Sequence, residues 1–454
     1  MTRREWLIAT GAWACASGTV RGQHGHVSRR FPPQTAEQLA GPADVTLRIG
    51  ETSLELAPRR VVRTRAYNGQ VPGPLLRVPR GRPLTVDVFN ETASEDIVHW
   101  HGLHIPPEVD GVYEQGTPGV PARGRWRYVF TPEPAGTRWY HSHNAAGRDL
   151  TKGTYTGQFG VMLVEEADDA GDYDHDVPVV LHEWEPYLRR RGPLDVEFKA
   201  FSVNGKMFGA GEPLRVREGQ RARLRIVNAS ATLTHQLALA GHQFRVIALD
   251  GNRVPSPAAV PVVEVAPGER VDAVVELSRP GVWVLGSVKA EGRAAGLGMV
   301  VEYAGQSGPP RWAEPIPRPW DYTLFGDRER RDIPVDDRIT LAFKAEPDGH
   351  HWLINGKGYP KADPIRVRAG RRYRWTLDNQ SADPHPVHLH RHTFELVSVA
   401  GRPTSGVRKD VVTVPPWRTV EIDVTADQPG LALFHCHQQF HMDMGFMTML
   451  EYVD

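Results

Sequence analysis

The stretch NGKGYPKADPIRVRAGRRYRWTLDN, residues 355–379, holds two short runs rich in β-branched and aromatic residues, separated by a glycine turn. The same order of features occurs twice earlier, at residues 204–228 and 68–90. Each copy begins with Asn-Gly, has a proline before the first run and ends the second run with asparagine. Short runs of this composition between Gly and Pro turns are typical of β-strands. Three copies of one unit therefore predict an all-β chain of three tandem β-sandwiches.

The chain of 454 residues is too long for one hydrophobic core and fits roughly three domains of about 150 residues each. We place the three sandwich domains at residues 43–167, 172–303 and 336–454. A Pro-rich segment, residues 304–335, is expected to link the second domain to the third. Residues 23–42 are expected to form a loose linker before the first domain.

The N-terminus resembles an export signal. Arg3 and Arg4 precede a weakly apolar run, which predicts a twin-arginine signal over residues 1–22. The run is too short to span a membrane, so we expect an exported protein, periplasmic or extracellular. Whether Cys15 is lipidated stays open. If the segment is removed, Cys436 is the single cysteine left, and no intrachain disulfide forms.

The overall charge argues against nucleic acid as a partner. Lys+Arg and Asp+Glu each number 54, and the pI is near 7.4. A balanced chain of this kind predicts no basic face for nucleic acid. With no membrane span expected, the predicted partners are small molecules, and a monomer is favoured.

Ten of the 20 histidines fall in four tight clusters. Two clusters lie in the first domain and two in the third, whereas the second domain has no His-x-His pair. Alternate side chains of a strand share one face, so each pair offers two imidazoles to the same side. Matched pairs in two domains predict several metal ions at a shared interface. The clustered residues are His99, His101, His141, His143, His385, His388, His390, His435, His437 and His441.

The segment His435, Cys436, His437 offers ligands to two different metal sites. On a strand, the two imidazoles face one way and the thiol faces the other. Structural zinc sites are closed tetrahedra that are often rich in thiolate, whereas here one thiolate stands among many imidazoles. One Cys with two His and a weak axial position is the pattern of a blue copper site, and His385, Cys436 and His441 fit it. The remaining eight imidazoles are left for further copper ions.

Together the four motifs resemble those of three-domain multicopper oxidases of the laccase-like type, and the chain is also similar to bacterial copper-efflux oxidases. The resemblance covers residues 45 to 454. It implies three cupredoxin-like Greek-key domains, the second mainly a spacer, and four copper ions: one type 1, one type 2 and two type 3. It also implies the ligands: His385, Cys436 and His441 for type 1; His99 and His388 for type 2; His101, His141, His143, His390, His435 and His437 for the type 3 pair.

The resemblance implies one-electron oxidation of phenolic or aromatic-amine donors at the type 1 copper, coupled to reduction of O₂ to water at the trinuclear cluster. A Cu(I) oxidase or a copper-tolerance protein is the alternative, and bilirubin-like molecules, Fe(II) and Mn(II) stay open as donors. A relative that kept the fold and lost its coppers is disfavoured, because all ten clustered histidines and Cys436 are present.

Asp110 lies at the spacing at which the family has an acid near the type 2 copper, and the resemblance implies that it relays protons. A plain Asp-Gly turn is the alternative for this residue. Phe446 stands where a methionine often binds the type 1 copper weakly, which predicts a three-coordinate, oxidising site. Met444 or Met447 would be axial if the register slipped.

Met442 stands where some bacterial relatives have an acid beside the last histidine, which puts a second proton relay in doubt. Four of the eight methionines cluster here, and we expect them to pack around the site rather than to receive Cu(I). They are Met442, Met444, Met447 and Met449.

Overall fold

The computed structural model describes residues 32, 34–166, 171, 173–189, 195–316, 318–329, 333–346 and 351–454. The expected export signal over residues 1–22, with Cys15, lies outside the described residues. Within the described ranges, no helix is both long enough and apolar enough to cross a membrane.

The first sandwich pairs two four-stranded sheets among the described residues. Its strands are β1 Val45–Ala57, β2 Arg60–Tyr67, β3 Leu76–Pro79, β4 Leu84–Asn90, β5 Val98–His101, β6 Arg125–Phe130, β7 Gly136–Ser142 and β8 Phe159–Glu165. The sheet orders are β2-β1-β4-β6 and β3-β8-β7-β5. Short 3-10 helices lie in the connections, at Tyr113–Gln115 and Gly153–Tyr155.

The second sandwich pairs a six-stranded sheet, β12-β9-β14-β19-β16-β17, with a five-stranded sheet, β13-β21-β20-β15-β18, in the part of the chain that the structure describes. A small hairpin, β10-β11, stands beside them. The elements are β9 His175–Trp184, β10 Tyr187–Leu188, β11 Val196–Glu197, β12 Ala200–Val203, β13 Leu214–Val216, β14 Arg221–Asn228, β15 His235–Leu239, β16 Phe244–Leu249, β17 Asn252–Val260, β18 Val263–Val265, β19 Arg270–Glu276, β20 Val282–Ser287, α1 Ala290–Ala294 and β21 Gly298–Tyr303.

The third sandwich pairs the sheet β23-β22-β25-β31-β27-β28, with β29 beside β27, and the sheet β24-β33-β32-β26-β30. A 3-10 helix at Tyr322–Phe325 precedes it. The elements are β22 Asp337–Ala345, β23 Trp352–Ile354, β24 Ile365–Val367, β25 Arg372–Asn379, β26 His385–Leu389, β27 Phe394–Val399, β28 Arg402–Pro403, β29 Arg408–Lys409, β30 Val411–Val414, β31 Thr419–Thr425, β32 Ala432–Cys436, α2 Gln439–Asp443 and β33 Met447–Tyr452.

The repeated stretch has the same position in all three sandwiches. Its first run is the strand that pairs in parallel with the last strand of its domain: β3 with β8, β13 with β21, β24 with β33. Its second run pairs in parallel with the first strand of the other sheet: β4 with β1, β14 with β9, β25 with β22. One repeat therefore supplies a strand to each sheet. The predicted all-β fold of three sandwiches is confirmed.

The terminal asparagine of each repeat explains why that residue recurs. The side-chain amide of Asn379 donates hydrogen bonds to the carbonyl oxygens of Asp383 and Val414. Asn228 and Asn90 donate in the same way within their own sandwiches. These bonds satisfy buried backbone acceptors where the chain leaves the strand.

The strands fall within the ranges expected for the three domains, whose exact limits stay predictions. The first and second sandwiches touch through their backbones, because a Cβ on Gly136 would lie 1.9 Å from the carbonyl oxygen of Gly251. Trp100 packs inside the first sandwich against Tyr128 and Phe130, as expected of a core residue. The boundary between the first and third sandwiches holds the histidine clusters.

Candidate metal centre

Two pairs of neighbouring strands carry the histidine clusters. β5 and β7 are antiparallel, with His99 opposite His141. β26 and β32 are also antiparallel, with His388 opposite His435. Residues that face each other in an antiparallel pair project to the same side, so each strand pair presents its imidazoles together. The alternation of side chains along β32 sends the thiol of Cys436 to the opposite side.

Eight imidazoles converge between the first and third sandwiches, and none is more than 7% exposed. The rings of His101 and His388 stack with their centroids 3.9 Å apart. Those of His99 and His390 lie 4.1 Å apart, so both pairs join the two sandwiches. The structure brings together every residue that the sequence assigned to the trinuclear cluster: His99, His101, His141, His143, His388, His390, His435 and His437.

In four of these rings a backbone contact assigns the proton to Nδ1. A carbonyl oxygen only accepts hydrogen bonds, so an Nδ1 atom in contact with one must be the donor. The lone pair of each ring then lies on Nε2, which is the usual metal-ligating arrangement of histidine. The four pairs are His99 with Asp110 at 2.7 Å, His388 with Asp410 at 2.8 Å, His141 with Ser142 at 2.9 Å and His435 with Cys436 at 2.9 Å.

The donor set fits metal ions. The Nε2 atoms of His390 and His435 lie 3.0 Å apart, and Nδ1 of His390 donates to Asp110. Both Nε2 atoms therefore carry lone pairs, which repel unless a cation binds to both. Nitrogen ligands bind such a cation at about 2.0–2.1 Å. Among the described residues, Nε2 of His99 and both ring nitrogens of His437 have no hydrogen-bond partner, although they are buried.

Burial also holds these rings in the neutral form that binds metal. It lowers the pKa of His101 and of His437 well below the ordinary value, and the neighbouring imidazoles lower both further. Burial likewise lowers the pKa of His388 to about 4. A protonated imidazole has no lone pair for a metal ion, so neutrality prepares the site.

Cys436, His385 and His441 form a compact triangle on the other face of β32. The Sγ atom of Cys436 lies 3.8 Å from Nδ1 of His385 and 3.7 Å from Nδ1 of His441. The two Nδ1 atoms are 3.3 Å apart. Nε2 of His385 is bonded to the hydroxyl of Ser381, which orients the ring. Burial raises the pKa of the Cys436 thiol, so a bound cation is needed to hold it as thiolate.

Phe446, which is fully buried, lies beside this triangle. Its ring lies 4.7 Å from that of His385 and 4.9 Å from that of Phe343, measured between centroids. Met447 lies instead in a separate apolar cluster with Val112 and Leu433. The register that puts Phe446 against the triangle is thus the one in the structure.

Asp110 is fully buried beside the eight imidazoles. Its Oδ2 atom lies 2.8 Å from Nδ1 of His390 and 3.6 Å from Nδ1 of His99. Burial raises the pKa of Asp110 to about 8, although the charge of Arg391 opposes this rise. The sequence placed an acid near the cluster, and the structure puts it in contact with a predicted ligand.

Comparison with known proteins matches three family models, each described as "Multicopper oxidase", to residues 49–169, 176–297 and 330–454. The chain belongs to the multicopper oxidases. It is 28% identical to multicopper oxidase MmcO of Mycobacterium tuberculosis, over 87% of this chain and 84% of that protein. It is 25% identical to multicopper oxidase mco of Staphylococcus aureus, over 89% of this chain and 88% of that protein.

A crystal structure of the multi-copper oxidase from Pseudomonas thermotolerans is similar throughout, with a TM-score of 0.72 and 27% identity. It covers 91% of this chain and 100% of that one. The expected family and its cupredoxin-like fold are thus confirmed. Membership of the multicopper oxidases implies copper, typically four ions, together with O₂ and a reducing substrate.

Asp410 is a buried carboxylate of this multicopper oxidase that sequence reasoning missed. Its Oδ1 atom lies 3.1 Å from Nε2 of His101. Arg270, from the second sandwich, donates to both of its oxygens at 2.6 Å. Burial alone would raise the pKa of Asp410, but Arg270 holds it below the ordinary value. No motif marks this residue, which lies between the end of β29 at Lys409 and the start of β30 at Val411.

The second sandwich of the multicopper oxidase keeps the framework of the triangle and one of its histidine positions, but not its thiolate. His235 pairs with β18 as His385 pairs with β30. Ser287 faces Leu237 across the sheet as Cys436 faces Val387. A serine at the cysteine position supplies no thiolate, so the described residues of this domain do not repeat the Cys-and-two-His triangle.

The histidines and tryptophan that flank the clusters have partners of their own. His104 contacts the hydroxyl of Thr393 at 2.9 Å. His392 contacts the hydroxyl of Tyr452 at 2.7 Å. Both histidines are therefore hydrogen-bonded within the protein. Trp139 stacks on His141 with a centroid distance of 4.2 Å, so its ring helps to hold a predicted ligand.

Proposed function

We propose that Cys436, His385 and His441 bind a type 1 copper and that the eight converging imidazoles bind a trinuclear cluster. The observation that carries the proposal is the Cys436 triangle on one face of β32, with the imidazoles of His435 and His437 on the other. When bound, copper accepts single electrons from a donor and delivers four to O₂, forming water. The protein supplies the ligands, their protonation states and a dry environment.

The eight imidazoles are divided into three proposed ligand groups. The type 2 copper is assigned to His99 and His388, as the family resemblance implies. The imidazole nitrogens of His143, His390 and His435 all lie within 4.8 Å of one another, which suits one type 3 copper. The other type 3 copper is assigned to the remaining group, in which the ring of His437 lies near those of His101 and His141, 5.1 and 5.4 Å between centroids.

Asp110 is proposed as a proton relay for the cluster. Its Oδ2 atom accepts a hydrogen bond from His390, while its Oδ1 atom has no hydrogen bond of ordinary length among the described residues, although Gln115 is near enough to lower the pKa of Asp110. A carboxyl group with one free oxygen beside the cluster can take up a proton and pass it on. The thioether of Met442 has no exchangeable proton and so cannot act as a second relay. The neighbouring carboxylate of Asp443 already accepts hydrogen bonds from the backbone amides of Ala146 and Gly147.

The donor is proposed to be a phenol or an aromatic amine rather than Cu(I). Met442 and Met447 are buried in one apolar cluster with Leu433, and Met449 packs against the same cluster. Met444 packs against Phe440. Thioethers used in packing present no site for a soft cation at the surface. The expected export, periplasmic or extracellular, remains part of the proposal and follows from residues 1–22.

Two measurements test this function. Copper content and absorption of the purified protein should show about four copper ions per chain, as is typical of the family, and an intense visible thiolate-to-copper band. Cys436→Ser should lose that band and one copper ion. Zero or one copper ion in the wild type would contradict the oxidase proposal.

The donor is tested by steady-state oxygen consumption on fully loaded protein, with dimethoxyphenol and Cu(I) compared at matched concentrations. We expect a higher kcat/KM for the phenol. A strong preference for Cu(I) would support the metal-oxidase alternative. Cys436→Ser serves as the control in both assays, because any consumption that survives it does not pass through the type 1 site.

A further inference from the structure

We propose that Arg270 of the second sandwich is a positioning residue for the trinuclear cluster, acting through Asp410 on His101 and His388. This inference rests on the proposed function, because it concerns the residues assigned to the cluster. It gives the second sandwich, to which no copper ligand is assigned, a direct part in the geometry of the site.

The guanidinium of Arg270 donates a hydrogen bond from each terminal nitrogen to the carboxylate of Asp410. Nη1 lies 2.6 Å from Oδ1 and Nη2 lies 2.6 Å from Oδ2, and neither side chain is more than 1% exposed. A two-pronged contact of this kind sets the orientation of the carboxylate as well as its charge. Lysine offers one point charge and lacks this fork.

Every N–H of the guanidinium has an acceptor, and the acceptors come from three sandwiches. Nε donates to the carbonyl oxygen of Thr137 in the first sandwich. Nη1 and Nη2 also donate to the carbonyl oxygens of Gly268 and Asp250 in the second. With the two bonds to Asp410 in the third, all five donors are used. The side chain is therefore held in one position, and so is the carboxylate that it binds.

Asp410 in turn accepts hydrogen bonds from two predicted ligands and so orients their rings. Its Oδ1 atom accepts from Nε2 of His101, which leaves the Nδ1 lone pair of that ring for a metal ion. Its backbone oxygen accepts from Nδ1 of His388, which leaves the lone pair on Nε2. Both are contacts of the kind that orient metal ligands.

Arg270 also keeps Asp410 from becoming a ligand itself. An oxygen of Asp410 and nitrogens of His101 and His388 all lie within 4.8 Å of one another, close enough to hold one ion. The fork engages both oxygens of the carboxylate, and Oδ1 also accepts from His101, so their lone pairs are used in hydrogen bonds rather than offered to a metal ion. Loss of the fork therefore changes both the ring orientation and the set of donors that the metal meets.

The test compares Arg270→Gln with Arg225→Gln in the full-length, copper-loaded protein. Arg225 is the matched control, because it is also a buried arginine of the second sandwich, lies on the strand paired with β19 and binds Asp272 rather than Asp410. The readouts are copper ions per chain, the type 2 electron paramagnetic resonance signal, the near-ultraviolet band of the type 3 pair and the visible type 1 band.

For Arg270→Gln we expect the affinity for the type 2 copper, measured by competition with a chelator, to fall about 10–100-fold. The type 2 and type 3 signals should also be altered. The type 1 band should be unchanged, because Cys436 lies on the other face of β32. Arg225→Gln should keep all three signals. Unchanged type 2 and type 3 signals in Arg270→Gln would overturn the proposal, and so would the same loss in Arg225→Gln.

Asp410→Asn provides a second, nearly isosteric variant, in case Arg270→Gln does not fold. It should give the same pattern, since an amide binds the guanidinium with one oxygen only. Retention of normal type 2 and type 3 signals in a folded Asp410→Asn protein would also overturn the proposal. A wild-type protein that binds no copper would instead contradict the proposed function, and the two failures are thus distinguishable.

Discussion

The carbonyl oxygen of Cys436 lies 2.9 Å from Nδ1 of His435, so a hydrogen bond joins these residues in addition to the peptide bond between them. Cys436 belongs to the proposed type 1 site and His435 to the proposed cluster. Under the proposed function, an electron leaving the thiolate would have a covalent path along the backbone and a shorter path through this hydrogen bond. The same contact assigns the proton of His435 to Nδ1 and leaves Nε2 for a metal ion.

Phe446→Met should lower the reduction potential of the type 1 copper. A thioether in this position adds a weak axial ligand that favours the oxidised ion, whereas the phenyl ring cannot coordinate. Redox titration of the visible band measures the change, and a fall of about 59 mV corresponds to a tenfold shift in the one-electron equilibrium. Phe446→Leu is the control, because it keeps the position apolar. An equal fall in both variants would mean that packing, and not coordination, sets the potential.

Asp110→Asn should slow turnover without removing copper. The amide keeps the shape of the side chain but cannot carry a proton to the cluster, and general acid–base groups contribute about 10²–10⁴-fold to rate. We expect kcat to fall within this range while copper content and the type 1 band stay normal. Asp110→Glu should recover part of the rate. A loss of copper from Asp110→Asn would instead indicate that its contact with His390 is mainly structural.

Gly268→Ala, a substitution in the second sandwich, should disturb the proposed type 3 copper pair. A Cβ at this position would lie 2.6 Å from Cδ2 of His437, so the imidazole would have to move. Gly219→Ala is the matched control: its φ is +82° against +85° for Gly268, and no atom lies within 4 Å of the added carbon. Both substitutions carry about 1–2 kcal/mol of left-handed backbone strain. Only Gly268→Ala should change the near-ultraviolet type 3 band, and a change in both would assign the effect to the backbone.

Glu183 should make stability fall as the pH rises towards 8. Burial raises the pKa of its carboxyl from 4.5 to about 8, although hydrogen bonds from the backbone amides of Thr232 and Leu233 oppose the rise. Between these pH values the folded state binds a proton that the unfolded chain has released. The free energy of unfolding therefore loses up to about 1.4 kcal/mol per pH unit from this group.

Glu183→Gln removes this titration. The melting temperature of the wild type, taken relative to that of the variant, should decrease from pH 5 to pH 8. The variant is measured at each pH as the reference for the wild type. The contributions of all other titrating groups to the melting temperature then cancel in the difference. A difference that stays constant over this range would show that Glu183 is already ionised in the folded protein at pH 5.

Local patterns predicted much of the fold. The three copies of the repeat became paired strands in both sheets of each sandwich, because Gly and Pro turns and β-branched runs act over a few residues. The His-x-His pairs predicted shared faces for the same reason. Phe446 rather than Met447 beside His385 followed from the register after Cys436, which is also a local property.

Contacts of the second sandwich with the cluster were not predicted, although the meeting of the first and third sandwiches at the histidines was. Asp410 and Arg270 lie in no motif, and each is an ordinary charged residue until the folded chain brings it to the cluster. The second sandwich was expected to be mainly a spacer because it has no His-x-His pair. That expectation was based only on the predicted copper ligands. The residues that orient those ligands cannot be recognised from the sequence.

By itself, the sequence determined which side chains share a face: the alternation of a strand separates Cys436 from His435 and His437 whatever the rest of the chain does. Only the tertiary structure decided which faces meet, since His101, Arg270 and Asp410 are brought together across three sandwiches. The physical reason is range. Backbone geometry acts between neighbours in the chain, whereas burial and ion pairing act between any groups that packing brings into contact.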